Sequence, residues 1–562
     1  MSTLLTLHDP QIARRYYDAG WWSTDTLYSL LARHATARPG AFCLRDSTRR
    51  LTWAQVLGWV DVVAKDLRDA GVRRGNRVSV WLPNRVESVV IFLACSRNGY
   101  VCNPSLHQNY TVAEIMQLLG RIQTAALFAQ SGYGMDAERN DVFVQAQALA
   151  SMKKIYRLAP VGATPAAETA TCNFPGKQAR VDPRHLAEPD ANPDKIVYLA
   201  FTSGTTGLPK GVLHSDNTLL ANGRAMVRDW GHDEHTVLYS HSPISHHIAT
   251  VAIEQALVAG CELVVNDLAP GNTPLDGIVE SGATYVMGVP THAIDILADM
   301  KRRGMSKLGR VGIFYMAGST IPPEIARAFL DIGITPQNIY GMSENGSHQY
   351  TLPGDDAETV CSTCGRAAHG YETRIWNAEN PDVEAQPGET GEIGTRGALL
   401  MLGYFDNQFA TESSFNADGW FLSGDLGRFD EKGNLQIVGR KKDLIIRGGH
   451  NIHPARIENL AIKHPAVLKA AAFAVADQRL GERVCLAVIV RDGDAVDADM
   501  LLQHLGEAGL SKFDMPEYFI ALDAFPLTAS GKILKRELVE WAKSGRIQPA
   551  PCRWVAPEKR AG

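Results

Sequence analysis

Val197-Tyr-Leu-Ala-Phe-Thr202-Ser-Gly-Thr-Thr-Gly-Leu-Pro-Lys210-Gly211 is an apolar run that breaks into a loop of small hydroxyl residues and glycines and ends on a lysine. The run reads as a buried strand. Glycine lets the loop backbone approach a ligand and take φ > 0, so N–H and O–H donors of Thr202, Ser203, Gly204, Thr205, Thr206 and Gly207 can wrap phosphate oxygens, with Lys210 adding positive charge. The Walker A ending is missing, because Pro209 precedes the lysine and Gly211 follows it. Taken alone, such a loop is as readily a surface turn.

Outward from this stretch, short apolar runs at 78–82, 125–128, 262–265, 284–287 and 311–316 alternate with helical patterns. That alternation predicts an α/β fold of parallel sheets covered by helices. Around 420–450 glycines punctuate short strands; a helical pattern over 454–464, strands at 470–475 and 484–490 and a helix near 497–508 then predict a compact α+β unit. The charged run Arg440–Asp443 places the boundary, giving domains 1–440 and 441–562.

Composition narrows the classes. With 45% hydrophobic and 21% charged residues and a net charge of −5, the 562-residue chain reads as an ordinary globular protein of several compact units. No basic surplus points to nucleic acid, and no apolar run reaches 18 residues, so no membrane span is expected. Asp9, Arg14 and Arg15 interrupt any signal-like run near the N-terminus, and nine scattered cysteines suit a reducing compartment, so the expected location is cytoplasmic. Cys361 and Cys364 form one CxxC, read as incidental because no second ligand pair lies nearby.

Further stretches carry chemistry in a fixed order: Tyr340-Gly-Met-Ser-Glu344, Gly419-Trp-Phe-Leu-Ser-Gly-Asp425, Gly439-Arg-Lys-Lys-Asp443 and Pro526-Leu-Thr-Ala-Ser-Gly-Lys532. Singly, Glu344 reads as a surface carboxylate, Asp425 as a turn residue and Lys532 as a solvated cation. Together, and behind the 202–211 loop, they resemble the adenylate-forming superfamily of acyl-CoA synthetases, peptide-synthetase adenylation domains and firefly-type luciferases, over about residues 25–545. The resemblance implies a large N-terminal domain of two αβ-layered subdomains and a small β-barrel, with a small mobile C-terminal domain.

It also implies roles. Thr202–Lys210 embraces the β- and γ-phosphates of ATP; Tyr340, with Gly341 and Ser343 beside it, stacks on adenine; Glu344 and Thr206 hold Mg²⁺. Asp425 takes the ribose hydroxyls, with Arg440 near ribose and phosphate. Lys442 is the hinge, Lys532 the lysine bridging substrate carboxylate and α-phosphate, and Gly448-Gly449 the border of the coenzyme A tunnel. The acyl pocket falls on 242–249, 316–320 and the stretch around Gly341, Met342 and Asn345, naming His246, His247, Gly318, Ser319 and Met342. His246 joins Lys532, Glu344 and Lys210 as a candidate catalytic residue, although a histidine there can equally pack and close the pocket. Ser343 and Ser423 stand where threonine is commoner, and Arg456 replaces a usual glutamate, which puts a local ion pair in doubt.

These residues imply an acid–CoA ligase. His246 and His247 stand where amino-acid-activating members carry an aspartate, so an ammonium would lack its counter-charge; the family's asparagine for dihydroxybenzoate falls at His247. The stretch Arg15-Tyr-Tyr-Asp-Ala-Gly-Trp-Trp22 resembles the branch of cyclohexanecarboxylate, medium-chain and dihydroxybenzoate ligases, so the expected substrate is an apolar alicyclic or medium-chain monocarboxylic acid, with an aryl acid as runner-up. A stand-alone enzyme loading a carrier protein is the main competitor. A non-catalytic scaffold would lack Lys532 or Glu344, and an oxidative luciferase is remote. Pro526-x-x-x-x-Gly531-Lys532 also resembles the segment recognised by lysine acetyltransferases that silence such synthetases, and a monomer or homodimer is expected.

Overall fold

The computed structural model describes residues 9–161, 172–176, 181–202, 209–267, 271–318, 321–448, 450–491, 493–528 and 532–555. Ser203, Gly204, Thr205, Thr206, Gly207, Ser319 and Gly449 therefore lie outside the described residues. By contacts the chain divides into two compact units: 1–204, 208–373 and 395–415 form the first, and 205–207, 374–394 and 416–562 the second.

The first unit is built on two large sheets. In the seven-stranded sheet, Arg77–Trp81, Val101–Asn103, Thr124–Gln130, Lys154–Leu158 and Ile196–Thr202 run parallel to their neighbours. In the nine-stranded sheet, Val237–Ser240, Glu262–Val265, Tyr285–Gly288, Ile313–Met316 and Thr335–Met342 do the same. Helices Val86–Asn98 and His247–Ala259 are buried along almost their whole length. Their apolar sequence leaves no solvent face to present, and each stops on a left-handed glycine, Gly99 and Gly260. They share one apolar core with Val78 and Tyr198 of one sheet and Leu238, Leu263 and Tyr285 of the other.

The alternation expected from sequence is thus the bulk of the unit, but its edges depart from it: Phe42–Arg45 pairs antiparallel with Arg50–Thr52, and two further hairpins do the same. Ile196–Thr202 pairs antiparallel with Lys210–Ser215, and Thr335–Met342 pairs antiparallel with Gly346–Tyr350. Short connections allow only antiparallel pairing, since a parallel return needs a crossover of a dozen residues. The latter two hairpins carry candidate site residues.

In the second unit a six-stranded sheet is centred on Val467–Asp477 and Gly481–Val490. Period-2 alternation sorts its side chains. Ala470, Ala472, Val484, Leu486 and Val488 face helices Pro454–Ala461 and Ala498–Glu507, while Ala471, Phe473, Cys485 and Ala487 face helix Lys535–Lys543 through Leu538. A further four-stranded sheet is ordered Tyr371–Trp376, Gly391–Gly397, Phe421–Phe429, Leu435–Arg440. Arg456 pairs with Asp514 at 3.8 Å, and Glu458 of the same helix pairs with Lys535 at 2.7 Å. Among the described residues no helix is long and apolar enough to cross a membrane.

Candidate active site

In the first unit the site grows from the hairpins at 196–215 and 335–350. Thr202 ends one strand and pairs in register with Lys210, which starts the next. Arg121 donates to the Pro209 carbonyl at the far end of the loop. Gly211 sits close to its neighbour there: a Cβ would lie 3.2 Å from Cβ of Phe405, a tight contact.

The second hairpin turns at Met342–Asn345. Asn345 Oδ1 accepts from Met342 N at 3.0 Å, and its Nδ2 donates to Thr395 at 3.3 Å. Gly341 is sterically required, because a Cβ would stand 1.9 Å from the Gly346 carbonyl oxygen. Tyr340 is buried, its ring 5.2 Å from that of His348.

Two side chains absent from the motif reading join these hairpins. His214 reaches from the 210–215 strand, and its Nε2 lies 2.6 Å from the Ser343 carbonyl. A carbonyl only accepts, so Nε2 carries the proton and Nδ1 accepts from Thr218 at 3.0 Å. Burial lowers the His214 pKa to about 4, keeping the ring neutral. Tyr404 is the second link. Its hydroxyl donates to Glu344 Oε1 at 2.9 Å, and its ring lies under the Lys210 ammonium at 4.6 Å. Backbone bonds fix the segment around it, from Met401 N to the Glu344 carbonyl at 2.7 Å, Leu402 N to Leu213 at 2.9 Å and Phe405 N to Gly211 at 2.6 Å. Tyr404 thus places the loop's cation and the buried carboxylate on one aromatic ring. The only sequence signal for it is Gly403-Tyr404 closing the apolar run 399–402.

The acyl-pocket candidates lie on the same unit. His247 Nδ1 contacts the Tyr198 hydroxyl at 3.2 Å, and its ring stacks 5.5 Å from His214. Burial, with His214 as a second cause, lowers its pKa to about 3. His246 packs 4.7 Å from His107, another histidine unmarked in the sequence. Gly318 is left-handed at φ +92°, with Val289 and Ile248 bordering the space a Cβ would take.

In the second unit Asp425 and Arg440 face each other across paired strands, in register and 3.1 Å apart. The Ser423 hydroxyl accepts from Asp425 N at 3.1 Å, so serine keeps the oxygen expected there. Lys441 pairs with Glu392 at 2.8 Å. Burial and the neighbouring Arg440 lower the pKa of Lys442. Gly448 is left-handed at φ +56°, its N–H bonded to the Leu480 carbonyl at 2.8 Å. Lys532 is exposed, and its N–H donates to Thr528 Oγ1 at 2.9 Å.

The two-sheet α/β unit, the separate C-terminal unit and this set of residues are those of an adenylate-forming enzyme, a reading that comparison with known proteins supports. Residues 31–405 match the family described as AMP-binding enzyme, and 456–532 the AMP-binding enzyme C-terminal domain. The chain belongs to that family and is an AMP-forming acid–thiol ligase. It is 28% identical to the medium-chain fatty-acid–CoA ligase of Escherichia coli (strain K12), over 95% of this chain and 93% of that protein. It is 31% identical to the 2-hydroxy-7-methoxy-5-methyl-1-naphthoate–CoA ligase of Streptomyces carzinostaticus, over 95% and 96%. Among solved structures, ATP-bound MatB from Rhodopseudomonas palustris superposes with a TM-score of 0.77 at 26% identity, over 93% of this chain and all of that one.

Proposed function

We propose that this ligase activates an apolar monocarboxylic acid of moderate size, alicyclic or medium-chain, and transfers the acyl group to coenzyme A. The observation that carries the acyl class is the neutral pocket wall: His247 is uncharged and engaged with Tyr198, and Gly318 is bordered by Ile248 and Val289. Such a wall offers an ammonium or a second carboxylate no counter-charge. The 31% identity to a naphthoate–CoA ligase favours an aryl acid as the second reading.

In the first half-reaction a substrate carboxylate oxygen bonds to the α-phosphorus of ATP, the bond to the β-phosphate oxygen breaks, and pyrophosphate leaves. Both reactants are anionic. Lys532 neutralises the charge between carboxylate and α-phosphate, and Lys210, seated on Tyr404, faces the β- and γ-phosphates with Thr202–Gly207. Tyr340 stacks on adenine, while Asp425 and Arg440 hold the ribose side. Glu344 suits Mg²⁺: it is a hard oxygen donor, buried and oriented by Tyr404, and it would hold the ion with Thr206. Bound there, the ion would offset phosphate charge. In the second half-reaction the thiol of coenzyme A attacks the acyl carbonyl, the thioester forms and AMP leaves; Gly448 and Gly449 line its approach. Lys532 has no part in that step, so we read 441–562 as a domain that rotates about Lys442. Acetylation of Lys532 would remove its charge and stop adenylation alone.

The test is AMP and acyl-CoA formation with ATP, Mg²⁺ and acids from acetate to palmitate, cyclohexanecarboxylate, benzoates and amino acids, with and without coenzyme A. Fastest thioester formation from an alicyclic or medium-chain acid is expected. Preference for an aryl or amino acid overturns the acyl class. Adenylate without transfer to coenzyme A moves the acceptor to a carrier protein.

A further inference from the structure

Arg15, Tyr16 and Trp21 were singled out in the sequence as part of one motif, and the ligase reaction uses none of them. They line a cleft of ≈ 280 Å³ in the first unit, together with Tyr371, Glu372 and Arg396. Helix Pro10–Asp18 supplies Arg15 and Tyr16; Trp21 N then bonds back to the Tyr16 carbonyl at 2.9 Å, which folds the indole beneath the helix. Trp22 anchors the turn through Nε1 to the Ala398 carbonyl at 2.9 Å.

The floor is cleared by glycine. Gly370, at φ +83°, would bring a Cβ to 2.8 Å from the Trp21 ring, and at Gly397 a Cβ would lie 2.4 Å from the Gly370 carbonyl oxygen. Any side chain at either position would lift Trp21 or fill the space. Donors outnumber acceptors in the lining. Glu372 is its one carboxylate, and it pairs with Arg396 at 3.1 Å. The Arg15 guanidinium, the Tyr16 hydroxyl and the Trp21 indole N–H have no protein acceptor among the described residues. Burial raises the Tyr16 pKa to about 12, so its hydroxyl stays a donor at physiological pH. Two guanidinium groups against one carboxylate leave the cleft with one positive charge, beside aromatic walls.

We propose that this cleft is a second small-molecule site, taking a planar ring that carries an anionic group, with the ring against Trp21 and Tyr16 and the anion on Arg15 and Arg396. Convergent donors beside aromatic faces are the usual make-up of such sites. An aryl carboxylate and an adenine nucleotide share this chemistry, and the test separates them.

Hydrogen exchange of the full chain, with AMP or with benzoate as probe, reads residues 10–21 and 368–373 apart from 340–345. Protection of 10–21 and 368–373 is expected with at least one probe: by AMP alone for a nucleotide, by benzoate alone for an aryl acid, by both if the ring and charge suffice. Arg15→Ser should weaken that protection at least about tenfold in half-saturating concentration, the loss of a charge-assisted contact, while the thermal midpoint and AMP formation at saturating substrates stay unchanged. No protection of those residues with either probe, or protection indifferent to Arg15→Ser, overturns the proposal.

Discussion

The two units hold their candidate residues in different ways. In the first, Glu344, Tyr340 and His214 are buried and His247 is half-buried; Tyr404 holds Glu344, the Ser343 carbonyl holds His214, Tyr198 holds His247, and Tyr340 packs against His348. In the second, Lys532 is exposed and the Arg440 side chain is 44% exposed, paired with Asp425 at a strand end. Groups that must recognise one ligand in one geometry gain from packing that fixes their rotamers. A group needed in one half-reaction and unwanted in the next gains from having little packing to break. The contrast therefore matches the proposed division between a preformed binding unit and a unit that brings charge.

The largest break in that comparison should come from Lys532→Ala. Pyrophosphate exchange falls about 10²–10³-fold, the scale for losing one preorganised charge contact, while transfer from presynthesised acyl-adenylate to coenzyme A continues. Equal loss in both assays would mean that the lysine supports the fold rather than adenylation. Gly341→Ala comes next, because nothing but backbone lies 1.9 Å from its Cβ. The hairpin must open, so the first unit loses activity and its thermal midpoint drops sharply; an active, stable variant would refute the steric argument.

Tyr404→Phe is subtler. The ring under Lys210 remains, but Glu344 loses the Tyr404 hydroxyl, a hydrogen bond to a charged acceptor of about 1.5–3 kcal/mol. Half-saturation for ATP should rise with little change for the acid, which steady-state kinetics can resolve. A rise confined to the acid would move Tyr404 to the acyl pocket.

Buried histidines sharpen the comparison through pH. Burial lowers His107 and His214 to about 4 and His247 and His348 to about 3, below the ordinary 6.5, and all four lie in the first unit. Below pH 6.5 the unfolded chain binds more protons than the folded one at these sites, so their contribution to stability falls as pH drops from about 6.5 to about 4. Each group contributes about 1.4 kcal/mol per pH unit inside that window. His214→Asn should flatten the dependence of thermal midpoint on pH between 6.5 and 4.5, and identical slopes would show that His214 is not held neutral by the fold. The smallest effect is Gly424→Ala. Gly424 has φ +75° and open space around its Cβ, so only the left-handed penalty of about 1–2 kcal/mol applies. A thermal midpoint shift as large as that of Gly341→Ala would mean the two glycines act alike after all.

Much of the fold was legible because it rests on local pattern. The apolar runs near 78–82, 125–128, 197–201 and 262–265 are strands, and the period-2 alternation of 467–490 sorts itself onto two faces. The antiparallel hairpins were not legible, since direction of pairing depends on which strand lies alongside and local apolarity is the same either way. Tyr404, His214 and His107 were missed for a related reason: an isolated tyrosine or histidine carries no spacing signal, and its role comes from partners such as Glu344, 60 residues away along the chain.

By itself, the sequence determined the chemistry available to this protein: a hydroxyl- and glycine-rich loop ending on Lys210, the carboxylates Glu344 and Asp425, and the cation Lys532, in an order that defines the family. The tertiary structure alone decided how those groups are held. Burial makes His214 and His247 neutral, Tyr404 brings Lys210 and Glu344 onto one ring, and Gly370 lowers Trp21 into a cleft. Residue type fixes what a side chain can do, whereas its charge state and partners are set by the solvent it loses and the neighbours it meets on folding.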